Sequence, residues 1–315
     1  MKKNGKAALH VRRREFMKDA LCAAAIGVAG AGAGADGGED AVLDLWQRET
    51  DLVAADVYKS YLRDGDTRGL ASLEKLERAF AKVLREVDAV EVGDVPAIWS
   101  VYNMGYVVKT REALFSIDLV HRRAAELAPK LDFALITHNH DDHWRHDLYR
   151  AMDSAGKTVI SNFLDNYGAA DWRKGGAKWY EAGGFTRAVK TFSIKDVKIR
   201  TTLSDHNRYL VDFTTAFEIH VGGWTLYHTG DSGAGSEVKL RPVRRPDLWL
   251  FFPGCGINVA DAVRKVGAKR TVFGHLWELG HKTGRLTAPM VRRALAAARP
   301  ICKDVSFALW GDRVS

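Results

Sequence analysis

The sequence predicts an α/β fold in which two β-sheets pack face to face with helices outside them, preceded by a helical segment. Three observations predict it. Residues 41–92 place apolar side chains at helical spacing, whereas from residue 95 short β-rich runs alternate with turn residues. Those runs fall into two sets, each closed by helical stretches. At 315 residues and 46% hydrophobic content, the chain can bury a core of this size without covalent cross-links.

In order, the first helix is expected over residues 42–62, ended by the turn-forming Asp64-Gly65-Asp66. A second follows, because Leu73, Leu76, Phe80, Val83, Leu84 and Val87 recur at three, four and seven and so share one face. This 41–92 segment carries no evident chemistry and reads as a cap or packing element. Strands are expected at 98–102, 105–109, 113–118 and 133–136, with a short helix at 122–127. Further strands are expected at 158–162, 188–203, 212–221, 224–228, 248–252, 270–274 and 304–309, and helices at 259–266 and 287–298. Residues 165–187 combine Trp172, Arg173, Lys174, Lys178, Trp179 and Tyr180 with glycines. Such a loop either covers the fold or stacks on an anionic ligand.

The net charge of +8 suggests a polyanion partner until it is located. Residues 1–35 hold seven basic and two acidic side chains, a balance of +5 that leaves only +3 for the remainder, so no strong nucleic-acid signal survives. That segment has Arg12-Arg13-Arg14-Glu15-Phe16-Met17-Lys18 ahead of an Ala/Gly-rich run over 20–35. It resembles a twin-arginine export signal, which implies passage through the twin-arginine machinery, cleavage after Ala35 and a periplasmic mature protein. The alternative, a membrane anchor, needs about 20 apolar residues, more than this run supplies. Cys22 lies in no convincing lipobox, and Cys255 and Cys302 form neither a zinc knuckle nor a disulfide framework.

The chemistry is concentrated in Thr137-His138-Asn139-His140-Asp141-Asp142-His143, directly after the 133–136 strand. Residues two apart in extended chain project to one side, so His138 and His140 can share an ion. At the turn that follows, Asp142 and His143 can reach a second ion. Imidazole and carboxylate together suit zinc and similar divalent metals.

His-x-His-x-Asp-His resembles the signature of the metallo-β-lactamase superfamily, and later positions match in order: His206 after a strand, Asp231 within Thr229-Gly230-Asp231-Ser232-Gly233, and His275 within Val272-Phe273-Gly274-His275. The resemblance covers roughly residues 95–315. It implies an αββα sandwich of two mixed sheets over 93–315, and a pair of divalent ions, zinc first with manganese or iron(II) as alternatives. His138, His140 and His206 would hold one ion, Asp142, His143 and His275 the other, with Asp231 bridging. Asp142 would also orient or deprotonate the water. Histidine at 140, where flavodiiron oxidoreductases carry glutamate, favours hydrolysis.

The Tyr-His-Thr-Gly-Asp-Ser-Gly segment looks most like the branch of ascorbate-6-phosphate lactonase and phospholipase-D-like hydrolases, implying a small-molecule lactone or a phosphodiester as substrate. Two alternatives stand beside this: a non-catalytic metal-containing binding protein, and a mononuclear iron persulfide dioxygenase. His281 could stabilise developing charge or protonate a leaving group, or belong to a surface loop. His228 reads either as an orienter of the site or as a core histidine; His220 and His146 read as structural. Asp118 is expected to fix a strand end, and Cys255 to line the rim. Tyr102 and Asn103 are expected to border the cleft and touch substrate. Oligomeric state leaves no mark in the sequence.

Overall fold

The computed structural model describes residues 37–161, 178–181, 189–280 and 285–315. The export segment, His281 and all of the 165–187 stretch except 178–181 lie outside the described residues.

Three helices open the chain: α1 (Gly37–Asp51), α2 (Ala55–Asp64) and α3 (Ala71–Ala89). The single helix expected over 42–62 is therefore two. Thr50 turns its hydroxyl back onto the Trp46 carbonyl at 2.9 Å and Val53 N–H closes onto the Thr50 carbonyl at 3.1 Å, which ends α1. The break allows Trp46, Val53, Val57 and Tyr61 all to be buried.

The first sheet runs β1 (Ala97–Ser100), β2 (Tyr106–Lys109), β3 (Leu114–Ile117), β4 (Phe133–Ile136), β5 (Thr158–Ser161) and β6 (Lys178–Glu181), hydrogen-bonded in that order. Its first three strands are antiparallel and the rest parallel. β6 corrects the reading of 165–187 as loop throughout, since residues 178–181 pair with β5 as an edge strand. A helix that the spacing did not mark, α4 (His146–Ser154), joins β4 to β5 and buries Leu148, Tyr149 and Met152.

The second sheet follows the same plan. β7 (Lys190–Ile194), β8 (Val197–Ser204), β9 (Thr214–Val221) and β10 (Trp224–His228) are antiparallel; β11 (Leu248–Phe251), β12 (Arg270–Phe273) and β13 (Asp304–Phe307) continue in parallel. The long strand expected over 188–203 is thus a hairpin. Lys195 takes a left-handed φ of 52° at its turn, and Asp196 accepts a 2.7 Å hydrogen bond from the Thr110 hydroxyl. Helices α5 (Val259–Val266) and α6 (Ala288–Ala298) connect the parallel strands. Strand β4 is buried throughout, as a parallel strand covered on both faces must be.

Both sheets and the three N-terminal helices share one apolar core, from Leu43 and Trp46 through Phe133 to Trp310. A polar seam joins them: buried His121 stacks on Phe80 with centroids 4.1 Å apart, and its Nε2 meets the Tyr61 hydroxyl at 3.0 Å. Burial, then Arg122 and Arg123, push the His121 pKa down to about 3, so the ring stays neutral in the fold. Cys302 is buried and Cys255 half-buried. No helix among the described residues is long and apolar enough to cross a membrane.

Candidate metal centre

The parallel strands end together at one edge of the sandwich, where their C-terminal loops supply the site. The β4 loop brings His138, His140, Asp142 and His143; His206 follows β8, Asp231 follows β10 and His275 follows β12. Two groups of donors result. One atom from each of His138, His140 and His206 lies within 4.8 Å of the others, and the same holds for Asp142, His143, Asp231 and His275. All seven residues read from the sequence are brought together.

Within the first group, His138 Nε2 and His140 Nδ1 are 3.1 Å apart, as two-residue spacing in extended chain requires. The His140 and His206 rings are 4.7 Å apart. Within the second, His275 Nε2 lies 2.9 Å from Asp142 Oδ2, and His143 Nε2 lies 3.3 Å from Asp231 Oδ1. Asp231 joins the groups: its Oδ2 is 3.2 Å from His275 Nε2 and 3.6 Å from His206 Nε2.

The Thr-Gly-Asp segment has a steric reason. Gly230 takes φ 51°, and a Cβ there would stand 2.7 Å from the Thr137 side chain, so only glycine lets Asp231 approach the β4 loop. A Cβ on Gly233 would strike the His206 carbonyl at 2.0 Å.

Groups behind the donors set which nitrogen faces inward. The buried carboxylate of Asp118 accepts from Thr137 N–H at 2.7 Å, from the Thr137 hydroxyl at 2.6 Å and from His143 Nδ1 at 2.8 Å. It does fix the strand end, and it also commits His143 Nδ1 as donor, so that Nε2 turns toward Asp142 and Asp231. Thr137 Oγ1 sits 3.0 Å from His138 Nδ1 and directs that ring in the same way. Asn103 Nδ2 donates to Asp142 Oδ2 at 3.0 Å, and the Asn103 carbonyl accepts from His275 N–H at 3.0 Å. His228 is both of the things expected of it: fully buried, with Nε2 bonded to the Met104 carbonyl at 2.9 Å, and with Nδ1 accepting from Gly230 N–H at 3.2 Å beside Asp231.

Burial first, then the neighbouring histidines, push His138 well down and His140 to about 3, so both are neutral and able to act as ligands at ordinary pH. Burial works against the ionised forms of Asp142 and Asp231, but the facing His143 and His275 hold both carboxylates well below their usual range. Against their burial, His143 and His275 are in turn pushed well up by Asp231, Asp142 and, for His143, Asp118, so the second group is a cluster of paired charges whose imidazole protons a divalent cation would replace. The fit is sharpened by buried atoms that lack a hydrogen-bond partner: His143 Nε2, His206 Nε2 and Asp231 Oδ1 all lie on the inner side of the two groups. Buried polar atoms are rarely left so, and cations held by the two groups would satisfy all three.

Tyr102 and Asn103, expected to border the cleft, are both buried: Tyr102 accepts from Leu279 N–H at 2.8 Å through its hydroxyl, and Asn103 stands against Asp142. His146 opens α4 beside Trp144, and His220 lies 3.1 Å from Thr225 at the far end of β9; neither enters a donor group. Cys255 is partly exposed and its carbonyl accepts from Ala234 N–H at 2.9 Å. Phe213 was not foreseen. Its ring stands 5.3–6.0 Å from those of His138, His140 and His206 and walls the first group. Its only sequence signal is its place ahead of β9.

Residues 102–264, just over half of the chain, match the beta-lactamase superfamily domain. A UPF0173 metal-dependent hydrolase of Symbiobacterium thermophilum is 30% identical over 126 residues, covering 38% of this chain and 49% of that protein. The chain thus spans about half the length of the curated relatives it matches. Among solved structures, a possible metal-dependent hydrolase from Veillonella parvula aligns with a TM-score of 0.52 at 14% identity, covering 70% of this chain and 98% of that one. An isothiocyanate hydrolase from Delia radicum gut bacteria aligns with a TM-score of 0.53 at 14% identity, covering 70% and 99%. These two likenesses establish a common fold.

Proposed function

This chain belongs to the beta-lactamase superfamily, and from that membership we propose that it is a two-metal hydrolase acting on an ester-type bond, either a lactone or a phosphodiester. The observation that carries the reading is the pair of donor groups joined through Asp231, with inward-facing atoms that nothing in the protein satisfies. His138, His140 and His206 would hold one ion, and Asp142, His143 and His275 the other, with Asp231 shared. Ions of this kind supply a water of lowered pKa and polarise the oxygen of the bond under attack. Asp142, kept ionised and gripped at Oδ2 by Asn103 and His275, would orient the attacking water and take up its proton. Phe213 gives the first group an apolar wall, its ring 5.3 Å from that of His140. Zinc suits the nitrogen-rich donor set best, with manganese or iron(II) as alternatives. The second complete group favours this reading over a mononuclear dioxygenase.

The test is a panel of bis-p-nitrophenyl phosphate and simple lactones, run on zinc-loaded and chelator-stripped protein. Turnover on at least one member, lost on stripping and restored by metal, is expected. Full occupancy by two ions with no turnover on any ester would favour the non-catalytic binder instead.

We extend the proposal to export. The Arg13-Arg14 pair ahead of an Ala/Gly-rich run supports the twin-arginine route, under which the folded, metal-loaded protein reaches the periplasm. Replacing Arg13 and Arg14 by Lys is expected to hold the protein in the cytoplasm in a fractionation assay. Undiminished periplasmic accumulation of the double variant would exclude that route.

A further inference from the structure

We infer that the N-terminal helices, which precede the matched domain, are a clamp that holds His275 in its liganding position and so sets the affinity of the second ion. The inference rests on the two-ion reading above. His275 sits in a strained loop: it takes φ 58° and Trp277 takes φ 69°, both in the left-handed region that non-glycine residues rarely adopt. Such backbone persists only where its surroundings over-determine it. Here much of the surroundings comes from α1 and α2. Trp46 of α1 packs on Trp277 with centroids 6.1 Å apart, and meets Trp310 edge-on at 4.9 Å. Tyr58 of α2 lies over Gly280, where a Cβ would come within 3.1 Å of its ring.

A hydrogen bond and a ring contact run alongside. Leu279 N–H donates to the Tyr102 hydroxyl at 2.8 Å, and the Tyr102 ring lies against that of Tyr58 with centroids 5.7 Å apart. The far side of the loop is tied to the same helix. Ala288 N–H donates to Gln47 Oε1 at 2.9 Å, Arg285 pairs with Asp51, Arg292 with Asp40 and Asp44, and Arg299 with Glu39. The acidic side of α1 therefore holds the chain after residue 284, while its Trp46 packs on Trp277 ahead of residue 281. His138, His140 and His206 make none of these contacts, so the clamp acts on one ion and spares the other.

The test is a Zn2+ titration of the full chain against a chromophoric chelator, resolving the two binding steps. Trp46→Ala is expected to weaken one step on the order of tenfold or more, the range seen when groups behind a ligand are removed, and to leave the other step unchanged. Tyr58→Ala, which removes the ring that lies against Tyr102 and over Gly280, should weaken the same step. Val159→Ala, a truncation of a buried side chain in β5, should leave both steps as in the wild type. Wild-type binding by both Trp46→Ala and Tyr58→Ala would overturn the clamp, as would the same single-step loss in Val159→Ala. If Trp46→Ala does not fold, Tyr58→Ala decides alone. A wild-type chain that takes up one ion would overturn the two-metal reading, and the clamp with it.

Discussion

His140→Ala is expected to lower turnover by roughly a thousandfold or more while the protein melts close to the wild type. The size follows from the chemistry: losing one ion's share of charge stabilisation removes several kcal/mol from the transition state, at about 1.4 kcal/mol per tenfold. The small structural effect follows from position. His140 lies in a loop, only partly buried, and its contacts are with His138, His206 and Phe213, not with the sheets. Steady-state rates beside a thermal melt and a metal count would check it, the count falling by one. An undiminished rate would remove His140 from the site and with it the role of the first group.

Asp118→Asn is expected to do damage in two separable ways. The wild-type carboxylate accepts three hydrogen bonds inside the protein, from Thr137 twice and from His143. An amide of the same shape offers one oxygen and one N–H pair, so a donor now faces a donor, at a cost of about 1–3 kcal/mol of stability for a buried mismatch. The same change leaves His143 Nδ1 facing an N–H group. The ring then moves its proton to Nε2, where the lone pair for the ion should be. Metal affinity is expected to fall about 10–100-fold, more than the stability loss alone would cause. Urea unfolding of the metal-free protein isolates the first effect, and zinc competition the second. Full zinc affinity in a destabilised Asp118→Asn would show that the carboxylate only pins the strand end.

Much of the site was legible because its densest part is local. Four of seven donors fall within six residues of one another, and strand geometry alone turns His138 and His140 to one side. His206, Asp231 and His275 were legible only through their order along the chain and the resemblance that order completes. Gly230 and Gly233 marked the third loop, and the structure gives the steric reason.

Other features could not be read in this way. That Tyr102 and Asn103 are buried, one against Leu279 and the other against Asp142, is not legible in the sequence, because whether a side chain faces solvent depends on what packs over it. The helix over 42–62 was expected as one piece because both of its halves are amphipathic; the break lies in a single threonine turning onto its own backbone. The second half of the 165–187 stretch proved to be an edge strand in part, since an edge needs only one partner and carries a weak pattern.

The amino-acid order by itself determined the layer architecture and the chemical identity of the donors, because alternation, helical spacing and short-range clustering are properties of neighbouring residues. Only the tertiary structure decided that Asp231 stands between the two groups, that Asp118 and Asn103 set the direction of their ligands, and that Trp46 and Tyr58 close on the loop of His275. Those relations link positions 25 to more than 200 residues apart. They arise where strand ends and helices converge in space, and chain distance carries no record of that convergence.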